Sequence, residues 1–193
     1  MRQLPDKESL RQHIIKQRDA LDLREREWLS LAASKHVLSW PLYRRAKHIL
    51  LFAGVRSEIQ TQFLVQQTIK LGKSVAMPRC VPQTRELLLF EIKAWSDLKP
   101  GYYGLLEPDV AAKMIPLSKL DIIIVPGVVF SPQGYRIGYG AGYYDRLLSK
   151  AKDIIISGLA FELQVMSSVP QDDHDVPLHY LITEKGIRAC GPE

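Results

Sequence analysis

The residues best suited to chemistry crowd into one stretch, Pro126-Gly-Val-Val-Phe-Ser-Pro-Gln-Gly-Tyr-Arg-Ile-Gly-Tyr-Gly-Ala-Gly-Tyr-Tyr-Asp-Arg146. Gly134, Gly138, Gly140 and Gly142, four of the chain's twelve glycines, follow the most apolar run and precede a helical pattern. Glycine allows positive φ and close backbone approach, so the N–H groups of such a loop can form an anion cradle. Arg136 can add a guanidinium with bidentate phosphate geometry. Asp145, in the first turn of the following helix, can hold magnesium bridging phosphate oxygens, or it can simply complement the helix dipole. The spacing matches neither a Walker loop nor a dinucleotide fingerprint. A flexible surface loop ahead of a capped helix is the alternative. Tyr135, Tyr139, Tyr143 and Tyr144 count against it, because tyrosines among glycines are poor core material and good ligand walls, with Tyr144 a candidate for packing inside.

A second group of cations lies near the start. Lys7 and Arg11 are four residues apart and face the same way on a helix, within about 40°. Arg18 joins that stripe. On spacing alone the stripe reads as a solvated basic face. Cys80 and Cys190 are far apart and show no metal-ligand spacing, so they read as free thiols. The acidic run Asp172-Asp173-His174-Asp175 could bind a metal by composition, but it reads as a solvated turn.

The elements that must position these groups follow from periodicity. Residues 6–22 form an amphipathic helix with Leu10, Ile14 and Leu21 on its apolar stripe and Asp6 as cap. Residues 24–39 form a second helix carrying Trp28, Leu31, Ala32 and Leu38, stopped by Pro41. Apolar strands are expected at 48–52, 74–77, 87–92, 120–125, 154–159 and 180–183. Helices are expected at 60–71, with Gly72 as its terminal glycine, and at 141–150. Nearly continuous apolar strands alternating with helices predict a three-layer α/β/α domain with a mainly parallel sheet, its site at the strands' carboxyl ends. The 193 residues suit one domain, 1–193.

The formal charge of +5 and a pI near 9.2 admit a polyanionic partner, and a small molecule explains them at least as well as nucleic acid. No apolar run reaches membrane-spanning length, and Asp6, Lys7, Glu8, Arg11 and His13 stand where a signal peptide would be apolar. A cytoplasmic protein is expected.

The run Ile124-Val-Pro-Gly-Val-Val-Phe130 followed by Gly134-Tyr-Arg-Ile-Gly-Tyr-Gly-Ala-Gly-Tyr-Tyr-Asp-Arg146 resembles the signature of the 5-formyltetrahydrofolate cyclo-ligases, also called methenyltetrahydrofolate synthetases. Further similarity spans nearly the whole chain: Lys7-Glu-Ser-Leu-Arg11, Ser57-Glu58 with Thr61, Gly104-Leu-Leu-Glu-Pro108, Gly158-Leu-Ala-Phe-Glu-Leu-Gln164 and His174-Asp-Val-Pro177. The resemblance implies a sugar-isomerase/CoA-transferase-like scaffold. It also implies ATP- and Mg2+-dependent conversion of 5-formyltetrahydrofolate, with or without a polyglutamate tail, to 5,10-methenyltetrahydrofolate, by a monomer that binds neither membrane nor nucleic acid. By the same transfer, Lys7 and Arg11 contact ATP phosphates, and Lys7 and Arg136 are catalytic. Arg136, Gly138, Tyr139, Gly140, Ala141, Gly142, Tyr143 and Tyr144 wrap the nucleotide, and Asp145 binds the metal. Glu58, after a strand end, contacts the pterin, with Phe161 and Gln164 lining the folate pocket. Glu107 and Pro108 shape a turn near the site.

Three positions depart from the family pattern. Ser131 replaces a common acid. Ala141 interrupts a glycine triplet, which a cradle tolerates if φ there is negative. His179 replaces an aspartate expected as a second magnesium contact. Two other readings use much of the same chain: a relative acting on another formylated amine, and a sugar-phosphate isomerase-like enzyme without ATP that uses His48 or Glu58 as base.

Overall fold

The computed structural model describes residues 6–172 and 175–191. Helix α1 spans Lys7–Asp19, and Asp6 caps it by accepting from the N–H groups of Glu8 and Ser9 at 2.9 Å each. Helix α2 spans Leu23–Ser39 with Asp22 as its cap. Pro41 does more than stop it. The residue before a proline is pushed to extended geometry, and Trp40 obliges with ψ 123°. Pro41 then opens a short helix α3, Pro41–Arg45, at the position where a missing N–H costs nothing. Strand β1 (His48–Leu50) leads through a loop to α4 (Gln62–Lys70). Gly72 closes α4 with φ 72°, its N–H reaching Ile69 and that of Lys73 reaching Thr68.

Beyond α4 come β2 (Ser74–Val81), β3 (Glu86–Ile92), β4 (Leu98–Pro100), β5 (Leu106–Pro108), β6 (Ile122–Val125), β7 (Val129–Phe130) and β8 (Arg136–Ile137). The chain then forms α5 (Tyr143–Leu148), β9 (Ile155–Leu159), β10 (Tyr180–Thr183) and β11 (Gly186–Ala189). The main sheet has seven strands in the order β11-β10-β9-β6-β1-β2-β3. Its inner pairs are parallel, while β2–β3 and β10–β11 are antiparallel. Two antiparallel hairpins, β4–β5 and β7–β8, stand apart from it.

Strand residues alternate between two cores. Ile49, Val75, Ile122, Ile124 and Ile182 face α2, α3 and α4 through Ala33, Val37, Tyr43 and Leu64. Leu50, Ala76, Ile123, Val125 and Leu181 face Leu147 and Leu148 of α5. The expected three layers are therefore present, the second being one six-residue helix plus loops. Trp28 does not join the α2 stripe: it is exposed, and Ala33 and Val37 carry the buried face instead.

The chain moves from β1 to one side for β2, then returns to the other side of β1 for β6. This reversal opens a crevice beyond the carboxyl ends of β1 and β6, where open α/β sheets bind ligands. Phe130 is fully buried in the core on the α5 side of the sheet. A Cβ at Gly127 would lie 2.6 Å from its ring and one at Gly158 2.7 Å, so the ring rests on two glycine backbones. No helix among the described residues is long and apolar enough to cross a membrane.

One ionic tie at the sheet edge is testable. Glu91 of β3 accepts from the Ser74 hydroxyl at 2.7 Å and from Lys113 at 3.0 Å, and it pairs with Lys93 at 3.1 Å. The Ser74 hydroxyl first, then the two lysines, hold its pKa down at about 2 from an ordinary 4.5. A depressed acid contributes stability above its unfolded pKa and loses it as pH falls through the folded one. Glu91→Gln should therefore lower the melting temperature at pH 7, with the gap to the parent narrowing between pH 4.5 and 2 in a calorimetric pH series.

Candidate active site

The glycine segment lies in the crevice at the end of β8. Gly140 and Gly142 have φ 94° and 71°, while Ala141 is outside the positive-φ region, so the alanine fits where it interrupts the triplet. Among the described residues, no group accepts from the backbone N–H of Gly138, Tyr139, Gly140, Ala141 or Gly142. A row of unclaimed donors on alternating dihedrals is the geometry of an anion nest.

Helix α1 docks against this loop. Leu10 and Ile14 are buried with Val128, Val129, Ile137 and Val169. The same helix carries Arg11, whose Nε donates to the Gly138 carbonyl at 2.7 Å and whose Nη1 meets Glu8 at 3.0 Å. Lys7 donates to Asp172 at 2.6 Å and Asp175 at 3.0 Å. Burial works against its charge, but these two carboxylates outweigh burial and leave its pKa raised. The acidic run is thus tied to Lys7 through Asp172 and Asp175, while Asp173 and His174 lie outside the described residues.

Arg136 is buried and donates through Nη2 to Asp145 at 2.7 Å. Its guanidinium carbon sits 5.8 Å from the Tyr144 ring centroid, and its Nε is buried without a partner among the described residues. Burial, then the negative charge of Glu58, pushes the Tyr144 hydroxyl well above its ordinary range. Tyr143 and Tyr144 pack against the core that includes Leu147, and Tyr135 packs against the α1 seam. Of the four tyrosines only Tyr139 is exposed, at 49%.

Glu58 follows β1 and is 5% exposed. Its Oε2 accepts from the Val55 N–H at 3.0 Å. Burial pushes its pKa up, opposed by that N–H, by Arg18, by Tyr139 and by Arg56. The loop is shaped by its backbone. Arg56 sits at φ 53°, and a Cβ on Gly54 would come within 2.0 Å of the Ile59 carbonyl oxygen.

Several expectations need correction. Arg18 is not on a solvated face: it is 2% exposed, donating to Ser57 at 3.1 Å and to the Tyr139 hydroxyl at 2.6 Å. Phe161 is fully buried among core residues. Gln164 donates to the Gly127 and Val128 carbonyls at 2.8 and 3.0 Å and accepts from the Phe161 N–H. Both side chains are consumed by packing and so do not line a pocket. Gln164 instead anchors the start of the β7–β8 hairpin. Glu107, 3% exposed, accepts from the Cys80 N–H at 2.9 Å and so ties β5 to β2. Ser131 is buried in the hairpin turn and accepts from the Tyr135 N–H. Nδ1 of His179 accepts from the Ile156 N–H at 2.9 Å, so that nitrogen is not offered to a metal. His48 lies at the amino end of β1 beside Asp121, at the opposite pole from Glu58. Cys80 and Cys190 are free thiols, and burial pushes each to about 11, which leaves them poor nucleophiles.

The chemistry of the donors fits a phosphate ligand with magnesium. The buried Arg136 guanidinium has an unmatched nitrogen, and free amides lie beside it. Asp145 is one carboxylate in the same place, which suits an ion that takes one or two carboxylates and its remaining ligands from phosphates and water. Among the described residues no group of three metal-ligating side chains exists, so the protein would supply part of the shell only.

The profile of the 5-formyltetrahydrofolate cyclo-ligase family matches residues 3–184. The chain is 33% identical over 177 residues to a Haemophilus influenzae 5-formyltetrahydrofolate cyclo-ligase, covering 89% of this chain and 94% of that one. The corresponding Escherichia coli protein is 29% identical over 178 residues, covering 90% and 98%. The structure of Aquifex aeolicus 5,10-methenyltetrahydrofolate synthetase superposes with a TM-score of 0.85 at 32% identity, covering 97% of this chain and 94% of that one. A Mycoplasma pneumoniae 5,10-methenyltetrahydrofolate synthetase shares the fold at a TM-score of 0.76 and 22% identity, covering 93% and 99%.

The loop geometry makes a stability prediction. Gly54→Ala drives a Cβ into rigid backbone and should cost more than about 1 kcal/mol, roughly 2 to 4 °C in melting temperature. Ala141→Gly, at an ordinary φ, should change it by less. Thermal denaturation of the two variants beside the parent checks this.

Proposed function

This chain belongs to the 5-formyltetrahydrofolate cyclo-ligase family, and on that footing we propose that it converts 5-formyltetrahydrofolate to 5,10-methenyltetrahydrofolate with consumption of ATP and release of ADP and phosphate. The observation that carries the ATP-dependent reading is the row of free amides at 138–142 flanked by Arg11 and Arg136. A triphosphate there would receive backbone N–H groups and two guanidiniums, with Lys7 at the end of the same helix. The phosphate would compete for cations now held by carboxylates: Arg136 by Asp145, and Lys7 by Asp172 and Asp175. Asp145, once exchanged, would hold magnesium, whose charge neutralises phosphate oxygens.

The reaction needs alignment and charge stabilisation more than a protein nucleophile. The γ-phosphoryl group passes to the N5-formyl oxygen, with the β–γ bridging bond breaking to release ADP. N10 attacks the activated formyl carbon and loses its proton. The C–O bond to phosphate then breaks as the ring closes to the methenyl cation. Arg136, Lys7 and Arg11 stabilise charge on the transferring group. Tyr139 presents an exposed ring at the mouth of the cradle, and Glu58 faces the pterin with a carboxylate that can accept from its N–H donors. This assigns the folate side to the end of β1 and the nucleotide side to the loop after β8.

The test is the absorbance of the methenyl product. Purified protein should form it from 5-formyltetrahydrofolate with ATP and magnesium and not without ATP. Arg136→Ala should lower kcat by about 10²-fold or more, the scale of losing one charge-stabilising donor. Full activity in that variant would rule out the cradle, and absence of product in the parent would rule out the reaction.

A further inference from the structure

Arg18 has no part in the reaction as proposed above, yet its burial is unusual. It is among the largest fully buried side chains, and it crosses from α1 to two separate parts of the crevice. Its Nε reaches Ser57 at 3.1 Å, next to Glu58, and its Nη2 reaches the hydroxyl of Tyr139 at 2.6 Å. Tyr139 and Glu58 lie close enough to act on each other electrostatically. Since the guanidinium can only donate, the hydroxyl accepts from Arg18 and is left with its own proton to donate. Arg18 thus ties α1 to the glycine loop through Tyr139 and to the end of β1 through Ser57, the neighbour of Glu58.

Resting on the reading that Glu58 receives the pterin, we propose that Arg18 is the positioning residue of the folate side, holding the Glu58 carboxylate charged and oriented through Tyr139 and Ser57. A pterin offers an N–H and an amino group on one edge, which calls for two acceptor oxygens; a protonated Glu58 would supply fewer. The groups facing Glu58 are Arg18 from α1, Arg56 from its own loop, Tyr139 from the glycine loop and, as a neutral phenol, Tyr144 from α5. Arg56 is exposed and screened by water, so Arg18 is the buried cation among them. Burial alone drives Glu58 toward its neutral form, and Arg18 is the charge set against that drive. Burial also pushes the Tyr139 hydroxyl to about 12, so it remains a donor across the working range.

The experiment measures KM for 5-formyltetrahydrofolate and for ATP separately, from pH 6 to 9, in the parent and in Arg18→Met, Glu58→Gln and the double variant. Arg18→Met should raise the folate KM about tenfold at pH 7, the scale of losing one hydrogen-bonded charge, and the deficit should shrink as pH rises. The ATP KM should stay within about twofold, because Arg11 and the loop amides are untouched. In the Glu58→Gln background the Arg18 effect should vanish. Equal rises in both KM values, or an Arg18 effect that persists without the Glu58 carboxylate, would overturn the proposal in favour of a packing role. A Glu58→Gln enzyme with unchanged folate KM would overturn the pterin contact itself, and this proposal with it. Should Arg18→Met not fold, Arg18→Lys keeps the charge. Its pH dependence should follow the parent with an intermediate folate KM, and a matching rise in ATP KM would again overturn the idea.

Discussion

The seam between α1 and the β7–β8 hairpin is the contact on which the site depends. Leu10 and Ile14 are buried against Val128, Val129, Ile137 and Val169, away from the main sheet. Burying two such side chains gives roughly 1.5 to 3 kcal/mol each. A largely exposed pair such as Arg11–Glu8 gives about 0 to 1. Apolar packing, not the cations, therefore holds the helix, and the cations come with it as passengers of the same helical period. One face docks, and Lys7, Arg11 and Arg18 are delivered to the carboxylates, the loop and the Tyr139 hydroxyl in turn.

The opposite wall is fixed by glycine. Phe130 rests on Gly127 and Gly158, and Gln164 ties down the carbonyls of Gly127 and Val128. These contacts fix where the hairpin leaves the sheet and hence where Arg136 and the free amides stand. Charge inside the crevice is then balanced locally. Lys7 has Asp172 and Asp175, Arg136 has Asp145, and Arg18 meets the Tyr139 and Ser57 hydroxyls beside Glu58. A buried guanidinium is tolerated because each one meets an acceptor, and two nitrogens are left for something else.

Much of this could be read from the residues. The strand–helix alternation, the Asp6 cap and the Gly72 terminus all rest on local rules, and the fold obeys them. Similarity over nearly the whole chain supplied the family. What could not be read depends on contacts between distant segments. Arg18 looked solvated because its partners Ser57 and Tyr139 are 39 and 121 residues away. Gln164 looked like a pocket residue because an amide's partners are invisible until Gly127 and Val128 are placed beside it. Strand β11 and both small hairpins were missed because runs of two to four mixed residues carry no periodicity. The one available signal for Arg18 was its register: seven residues past Arg11, two turns along the same stripe.

The docking of α1 has a consequence for how the chain is made. Its apolar face is synthesised first, but its cover comes from residues 128 to 137 and from Val169. At 5 to 20 residues per second a ribosome takes roughly 6 to 25 s to travel from Ile14 to Ile137. For that interval Leu10 and Ile14 have no native partner, and the nascent helix presents an amphipathic surface to whatever binds emerging chains. The crevice is thus closed by an element made well before its cover and among the last to find its place.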